Sequence, residues 1–195
     1  MLRYRELAQR VRAHLEQSHR YAHVVRVARC AELLAQHHGL DSRKAQLAGM
    51  LHDLARLYST SRLIAECEAR HMTIDAFERQ NPIVLHARLG ASIAQEAFGV
   101  HDLEILSAIE KHTVGAPNMS PLDCVLYLAD GLEPGRSFPD RKALWELAKI
   151  DLSGAMSATL ANTVRYLEAK GLPVSPQTAA AAAVFPDRPG RIHHR

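Results

Sequence analysis

Apolar residues recur every three or four positions along almost the whole chain, the spacing of amphipathic helices. In residues 2–16, Leu2, Leu7, Val11 and Leu15 share one face and Arg and Glu take the other. Ser18 stands where an N-cap belongs, before a longer helix that runs to His38, stops at Gly39 and turns Val24, Val27, Ala28, Ala31, Leu34 and Ala35 inward. Asp41 or Ser42 caps the next helix, which carries Ala45, Ala48, Gly49, Leu51 and Leu54 and ends before the polar stretch 58–61. The pattern predicts further helices over 62–70, from Asn81 or Pro82 to Phe98 with Gly99 as the stop, and over 102–112. After a loop at 115–118, Ser120 and Pro121 open a helix through Asp130, because proline suits the first turn. The segment EPGRSFPD at 133–140 breaks it. Helices follow over 141–150 and 151–170, the second closed by Gly171, and 178–184 supports one or two last turns. No stretch alternates as a strand for more than a few residues, and no repeat or internal boundary is visible. The expectation is an all-α helical bundle forming one domain over 1–184, with a loose polar tail over 185–195 that contains His193 and His194.

Composition agrees and narrows the function classes. Of 195 residues 47% are hydrophobic, enough for the core of one domain, and the apolar content leans to Ala and Leu, which favour helix over strand. A net charge of +3, spread over many helices, gives no basic stripe, so nucleic acid is not an expected partner. Cys30, Cys67 and Cys124 are odd in number and set in apolar surroundings, which reads as reduced core thiols and a cytoplasmic location. The N-terminal residues are charged throughout and no run of about 18 apolar residues occurs, so neither a signal peptide nor a membrane span is expected.

The unusual number is 12 His, roughly twice ordinary usage. His52-Asp53 is flanked by apolar residues on both sides, and a buried carboxylate beside an imidazole needs a compensating cation. A metal is one candidate; an ion pair with Arg56, three positions on, is the other. His23, His86, His112 and Asp130 have the same character, each set at the edge of an otherwise apolar helix. Deprotonated nitrogen and oxygen donors projected from several helices into one interior are what a bundle metal site requires. His14, His37, His38, His71 and His101 lie near helix ends or on polar faces and carry no assigned role. His19 stands four residues before His23, but the residue after it is Arg20 and not the Glu that a zinc-protease helix needs.

The ordered segments RYAHV at 20–24, AGMLHDLAR at 48–56, LHARLGA at 85–91, AIEKHTVG at 108–115 and LADGLEPGR at 128–136 resemble the HD-domain metal-dependent phosphohydrolases. More narrowly they resemble the bacterial YqeK family of symmetrical diadenosine tetraphosphate hydrolases. The resemblance spans about 18–180 and implies a buried di-metal site. In it His23, His52, Asp53 and Asp130 would hold one iron, and Asp53 would bridge to a second held by His86 and His112. Mn, Co or Mg are further candidates for the metals. A bridging hydroxide would attack phosphorus and yield two ADP. Arg20, Arg56 and Arg136 are the implied phosphate contacts and catalytic helpers, and Thr113 and Glu133 the implied further substrate contacts, Glu133 through Arg136 or a ribose. Arg56 stands where the family usually has Lys, which keeps the charge but changes its geometry. The implied partner is a dinucleoside polyphosphate, and a homodimer is an assembly the sequence permits. Two alternatives stay open: a phosphohydrolase of the same type acting on another nucleotide, and a non-catalytic nucleotide sensor with a closed, structural metal.

Overall fold

The computed structural model describes residues 4–185, and these form eleven α-helices and no strand. In chain order they are α1 (Tyr4–Leu15), α2 (Ser18–His37), α3 (Ser42–Leu51), α4 (Thr60–Ala69), α5 (Ala76–Gln80) and α6 (Leu85–Phe98). They continue with α7 (Leu103–Lys111), α8 (Pro121–Leu132), α9 (Arg141–Ile150), α10 (Leu152–Ala169) and α11 (Pro176–Val184). The all-α expectation holds, and the sequence signals act at the ends they mark. Asp41 accepts from the amides of Arg43 and Lys44, Asp102 from those of Glu104 and Ile105, and Ser120 with Asp123 closes a capping box ahead of Pro121. Gly99 ends α6 in the left-handed conformation at φ 69°, which only glycine enters without cost.

α8 is the middle of the bundle. Leu122 to Ala129 are all buried, and a helix apolar on every side belongs inside. It packs against α2, α7 and α10, while α3 lies along α2. Leu34, Met50, Leu51, Leu54, Leu89, Ile109, Leu126 and Leu128 are among the fully buried side chains, each stabilising the fold by about 1.5–3 kcal/mol. The α2–α3 crossing is close because Gly49 has no side chain: a Cβ there would lie 2.5 Å from the Ala28 Cα. Cys30, Cys67 and Cys124 are free and buried, and burial pushes the Cys30 and Cys124 thiols up to about 11 and about 12.

The boundaries differ from the periodicity in several places. Ser18 is the first helical residue and not the cap; Gln17 holds that position without a side-chain bond. α3 ends at Leu51, and residues 52–57 continue as tight turns, so His52-Asp53 lies just past a helix end. α5 is short and carries too few apolar positions to show a period; its mark in the sequence is the capping box of Asp75 with Glu78. Residues Pro82–Val84 form a 3-10 turn before α6 begins at Leu85. Phe185, assigned above to the tail, packs half-buried against the core. The rest of that tail, with His193 and His194, and Leu2 lie outside the described residues. No helix among the described residues is long and apolar enough to cross a membrane.

Candidate metal centre

Five elements deliver the six predicted donors to one point. His23 projects from the middle of α2, His52 and Asp53 from the end of α3, His86 from the first turn of α6, His112 from the end of α7 and Asp130 from α8. All four histidines and Asp53 are buried, and the Asp130 side chain keeps 21% exposure toward a cavity of about 340 Å³.

The two oxygens of Asp53 face opposite ways. Oδ2 lies 3.5 Å from His23 Nε2 and 3.4 Å from His52 Nε2, while Oδ1 lies 3.5 Å from His86 Nε2 and 3.8 Å from His112 Nε2. Asp130 Oδ1 joins the first group, 3.1 Å from His23 Nε2 and 3.9 Å from His52 Nε2. Two donor sets therefore share one carboxylate. The donor atoms of His23, His52 and Asp130 lie within 4.8 Å of one another, as do those of His52, Asp53 and His112.

Each imidazole is held by its other nitrogen. Nδ1 of His52 donates to the Gly49 carbonyl (2.8 Å), Nδ1 of His86 to that of Ile83 (2.5 Å) and Nδ1 of His112 to that of Ile109 (2.7 Å). His23 Nδ1 donates to the Glu133 carboxylate at 3.1 Å. Carbonyl and carboxylate oxygens only accept, so all four rings carry the Nδ1 proton and turn an Nε2 lone pair inward. The Nε2 atoms of His23 and His52 are buried without a hydrogen-bond partner, which is what a ligand atom looks like before its metal is counted.

The electrostatics fit a cation. Burial pushes the Asp53 carboxyl up, but the His52 imidazole beside it outweighs that and holds it well below the usual range. Asp130 is likewise lowered against its burial, by His23, His52 and Arg136. Burial drives His112 down to about 3 and lowers His86, so both are in the neutral form that ligates metal. His52 is raised, because the carboxylates of Asp53 and Asp130 overcome its burial.

Arginines rim the cavity, though not in the predicted pairing. Arg20, and not Arg56, is the partner of Asp53, with Nη1 2.8 Å from Oδ2. α3 stops at Leu51, so the three-residue spacing does not set Asp53 and Arg56 side by side; Arg56 only gives its backbone N–H to the Asp53 carbonyl, and its side chain lines the cavity. Arg136 Nη2 lies 2.6 Å from Asp130 Oδ1. Thr113 Oγ1 is 3.1 Å from the Nε2 atoms of both His86 and His112. Glu133 is nearly fully buried and bonds His23, Arg26 and the Gly135 amide, while the Arg136 side chain pairs with Asp130 instead. The reason is desolvation: a buried carboxylate takes the cation that reaches it, and α2 supplies Arg26 three residues after His23. His19 is exposed and outside the site. His14, which carries no role in the sequence reading, makes a 2.8 Å bond from Nε2 to the Leu54 carbonyl that ties α1 to the turn after His52-Asp53.

Comparisons with known proteins define the class. The HD domain family matches residues 20–135, a range that contains all six donors, and the chain belongs to that family. HD domain hydrolases are metal-dependent, and the donors described above suit that requirement. A protein of Halalkalibacterium halodurans named "Bis(5'-nucleosyl)-tetraphosphatase, symmetrical" is 37% identical over 88% of this chain and 91% of its own. A Bacillus subtilis protein of the same name is 39% identical over 82% of this chain and 86% of its own. The crystal structure of a "predicted HD superfamily hydrolase involved in NAD metabolism" from Clostridium acetobutylicum superposes with a TM-score of 0.90, covering 95% of this chain and 97% of that one at 31% identity.

Proposed function

We propose that this chain hydrolyses diadenosine tetraphosphate symmetrically in the cytoplasm, with 1–184 as the working domain. Water adds at one of the two central phosphorus atoms, the bond from that phosphorus to the central bridging oxygen breaks, and two ADP leave. The observation that carries the reaction class is the single carboxylate, Asp53, with one oxygen toward His23 and His52 and the other toward His86 and His112, beside an arginine-lined cavity. The substrate is supported by the two relatives named above, which are similar in sequence to this chain over most of their length.

His23, His52 and Asp130 would hold one cation and His86 and His112 a second, with Asp53 shared. Imidazole and carboxylate donors suit iron, and Mn, Co or Mg are the further candidates. Bound there, the cations supply the charge that makes water acidic near neutrality and polarises a phosphoryl oxygen.

The chain's own residues do the rest. The Nδ1 bonds fix the four imidazoles in one tautomer before any ligand arrives. Arg20 and Arg136 already touch the two carboxylates at the cavity floor and can turn their remaining N–H groups to phosphate oxygens, where guanidinium binds bidentately. Arg56 adds a third positive charge to the wall against the charge that builds on phosphorus. The Thr113 hydroxyl faces the His86–His112 side and can donate to a phosphoryl oxygen there.

Anaerobic purification with metal analysis, followed by chromatography of the products from diadenosine tetraphosphate, tests the proposal. Two ADP are expected. ATP plus AMP would replace symmetrical by asymmetrical cleavage, and a metal-replete but inactive protein would refute the assignment.

A further inference from the structure

His23 differs from the other three histidines in how it is held. His52 and His112 each follow the last residue of a helix, and each gives its Nδ1 proton to the carbonyl three residues back, in a turn whose carbonyls the helix no longer uses. His86 uses the carbonyl of Ile83 in the same way, from the start of α6. His23 lies within α2, and its ring takes no carbonyl of its own helix as acceptor. It comes from Glu133, 110 residues away, at the first position past α8.

Glu133 is built for this contact. It is 2% exposed, and its other bonds hold the carboxylate still: Arg26 Nε reaches Oε2 at 2.5 Å, Arg26 Nη2 reaches Oε1 at 3.1 Å and the Gly135 amide reaches Oε2 at 2.5 Å. Gly135 is small for a reason, since a Cβ there would lie 2.5 Å from Arg26 Nη2 and 2.8 Å from Glu133 Oε1, the oxygen that faces His23. We propose that Glu133, clamped by Arg26 and the Gly135 amide, is a positioning residue that orients His23 and raises its strength as a metal ligand, so that the site of His23, His52 and Asp130 binds its cation more tightly. A carboxylate behind a ligating imidazole makes the ring more basic than a carbonyl does, and loss of such a partner costs about 10–100-fold in metal affinity. The proposal rests on the metal-dependent reading given above.

The test is titration of chelator-treated protein with Mn²⁺, read by the electron paramagnetic resonance of free Mn²⁺ and by calorimetry, alongside thermal unfolding of the metal-free form. Glu133→Gln should weaken Mn²⁺ binding about 10–100-fold at one of two sites and leave the other near its wild-type affinity. Arg26→Gln removes the ion pair but keeps the carboxylate on His23, so it should lose less affinity than Glu133→Gln even if both unfold at the same temperature. Should Glu133→Gln fail to fold, Gly135→Ala displaces Oε1 with both charges retained and should weaken the same site. Equal Mn²⁺ binding by wild type and Glu133→Gln, or by wild type and Gly135→Ala, would overturn the proposal, as would equal losses for Arg26→Gln and Glu133→Gln, which mark a purely structural ion pair. Failure of the wild-type protein to bind Mn²⁺, Fe²⁺ or Co²⁺ would instead sink the metal-dependent reading itself.

Discussion

Gly49→Ala should damage both stability and the metal centre through a single contact. The new Cβ would lie 2.5 Å from Ala28 Cα, 2.8 Å from Ala28 N and 3.2 Å from the Val27 carbonyl carbon. Carbon atoms rest about 3.5–4.0 Å apart, so the helices must separate by about 1 Å at the crossing. All three neighbours are backbone atoms within α2, and no rotamer change relieves them. Overpacking of this kind costs about 1–3 kcal/mol, from which about 0.5–1 kcal/mol is recovered because Ala is the better helix former. A net loss of up to about 2.5 kcal/mol lowers Tm by up to about 10 °C in a chain of this length. The displacement carries His52 and Asp53, three and four residues on, away from His23, and a misplacement of about 1 Å costs on the order of 10²-fold in turnover. Circular-dichroism melts of chelator-treated protein, Mn²⁺ titration and product assays on one set of samples measure all three effects. Gly131→Ala is the internal stability control: it also lies within a helix, but its Cβ would meet nothing within 4 Å, so it should be neutral or slightly stabilising. A Gly49→Ala protein that melts at the wild-type temperature and binds Mn²⁺ as tightly as wild type would refute the reasoning.

Asp53→Asn keeps the shape of the shared carboxylate and removes its charge; metal content after purification should fall to near zero and turnover by about 10⁴-fold, whereas unchanged metal content would remove Asp53 from the bridging role. The metal-free protein should lose stability as pH falls from about 6.5 toward 3, because burial holds His112 at about 3 and His86 below its ordinary 6.5, so the unfolded chain binds protons that the folded one refuses. Asp53, Asp130 and Glu133, all held below their ordinary values, add to the loss below about pH 4.5, while the raised His52 contributes stability that is lost only above about 6.5. Melts of chelator-treated protein between pH 7 and pH 4 check this, and a flat Tm from 6.5 to 4.5 would contradict it.

What could be read from the sequence was what local physics controls. Helices such as α2, α6 and α10 are long enough for the 3.6-residue period to rise above noise, and their stops at Gly39, Gly99 and Gly171 follow from backbone conformation alone. The donors were legible because His and Asp interrupt apolar faces at His23, His52, Asp53, His86, His112 and Asp130, where burial calls for a compensating cation. Pairings between distant elements were not legible. Arg20 rather than Arg56 meets Asp53, and Glu133 meets His23 rather than Arg136, because helix packing decides which cation and which ring a buried carboxylate can reach. The start of α6 after a 3-10 turn and the five-residue α5 escaped for a different reason, since neither has enough apolar positions to define a face.

The place where α3 ends is itself part of the site. Were α3 to continue through His52 and Asp53, the Gly49 carbonyl would also accept the Asp53 amide in the usual i to i+4 bond, and His52 Nδ1 would share the acceptor that sets its tautomer. Stopping at Leu51 leaves that carbonyl free and lets the following turn swing Asp53 between two pairs of imidazoles. The same device recurs at α7, where the helix stops at Lys111 and the Ile109 carbonyl holds His112. Helix termination thus supplies both the change of direction that brings a ligand inward and the hydrogen-bond acceptor that orients it. A ligand placed mid-helix, as His23 is, has neither, and the bundle meets that need with a carboxylate from the far end of α8. Adjacent His and Asp at the end of a helix is therefore an economical way to build half of a metal centre, because one local backbone event orients both residues.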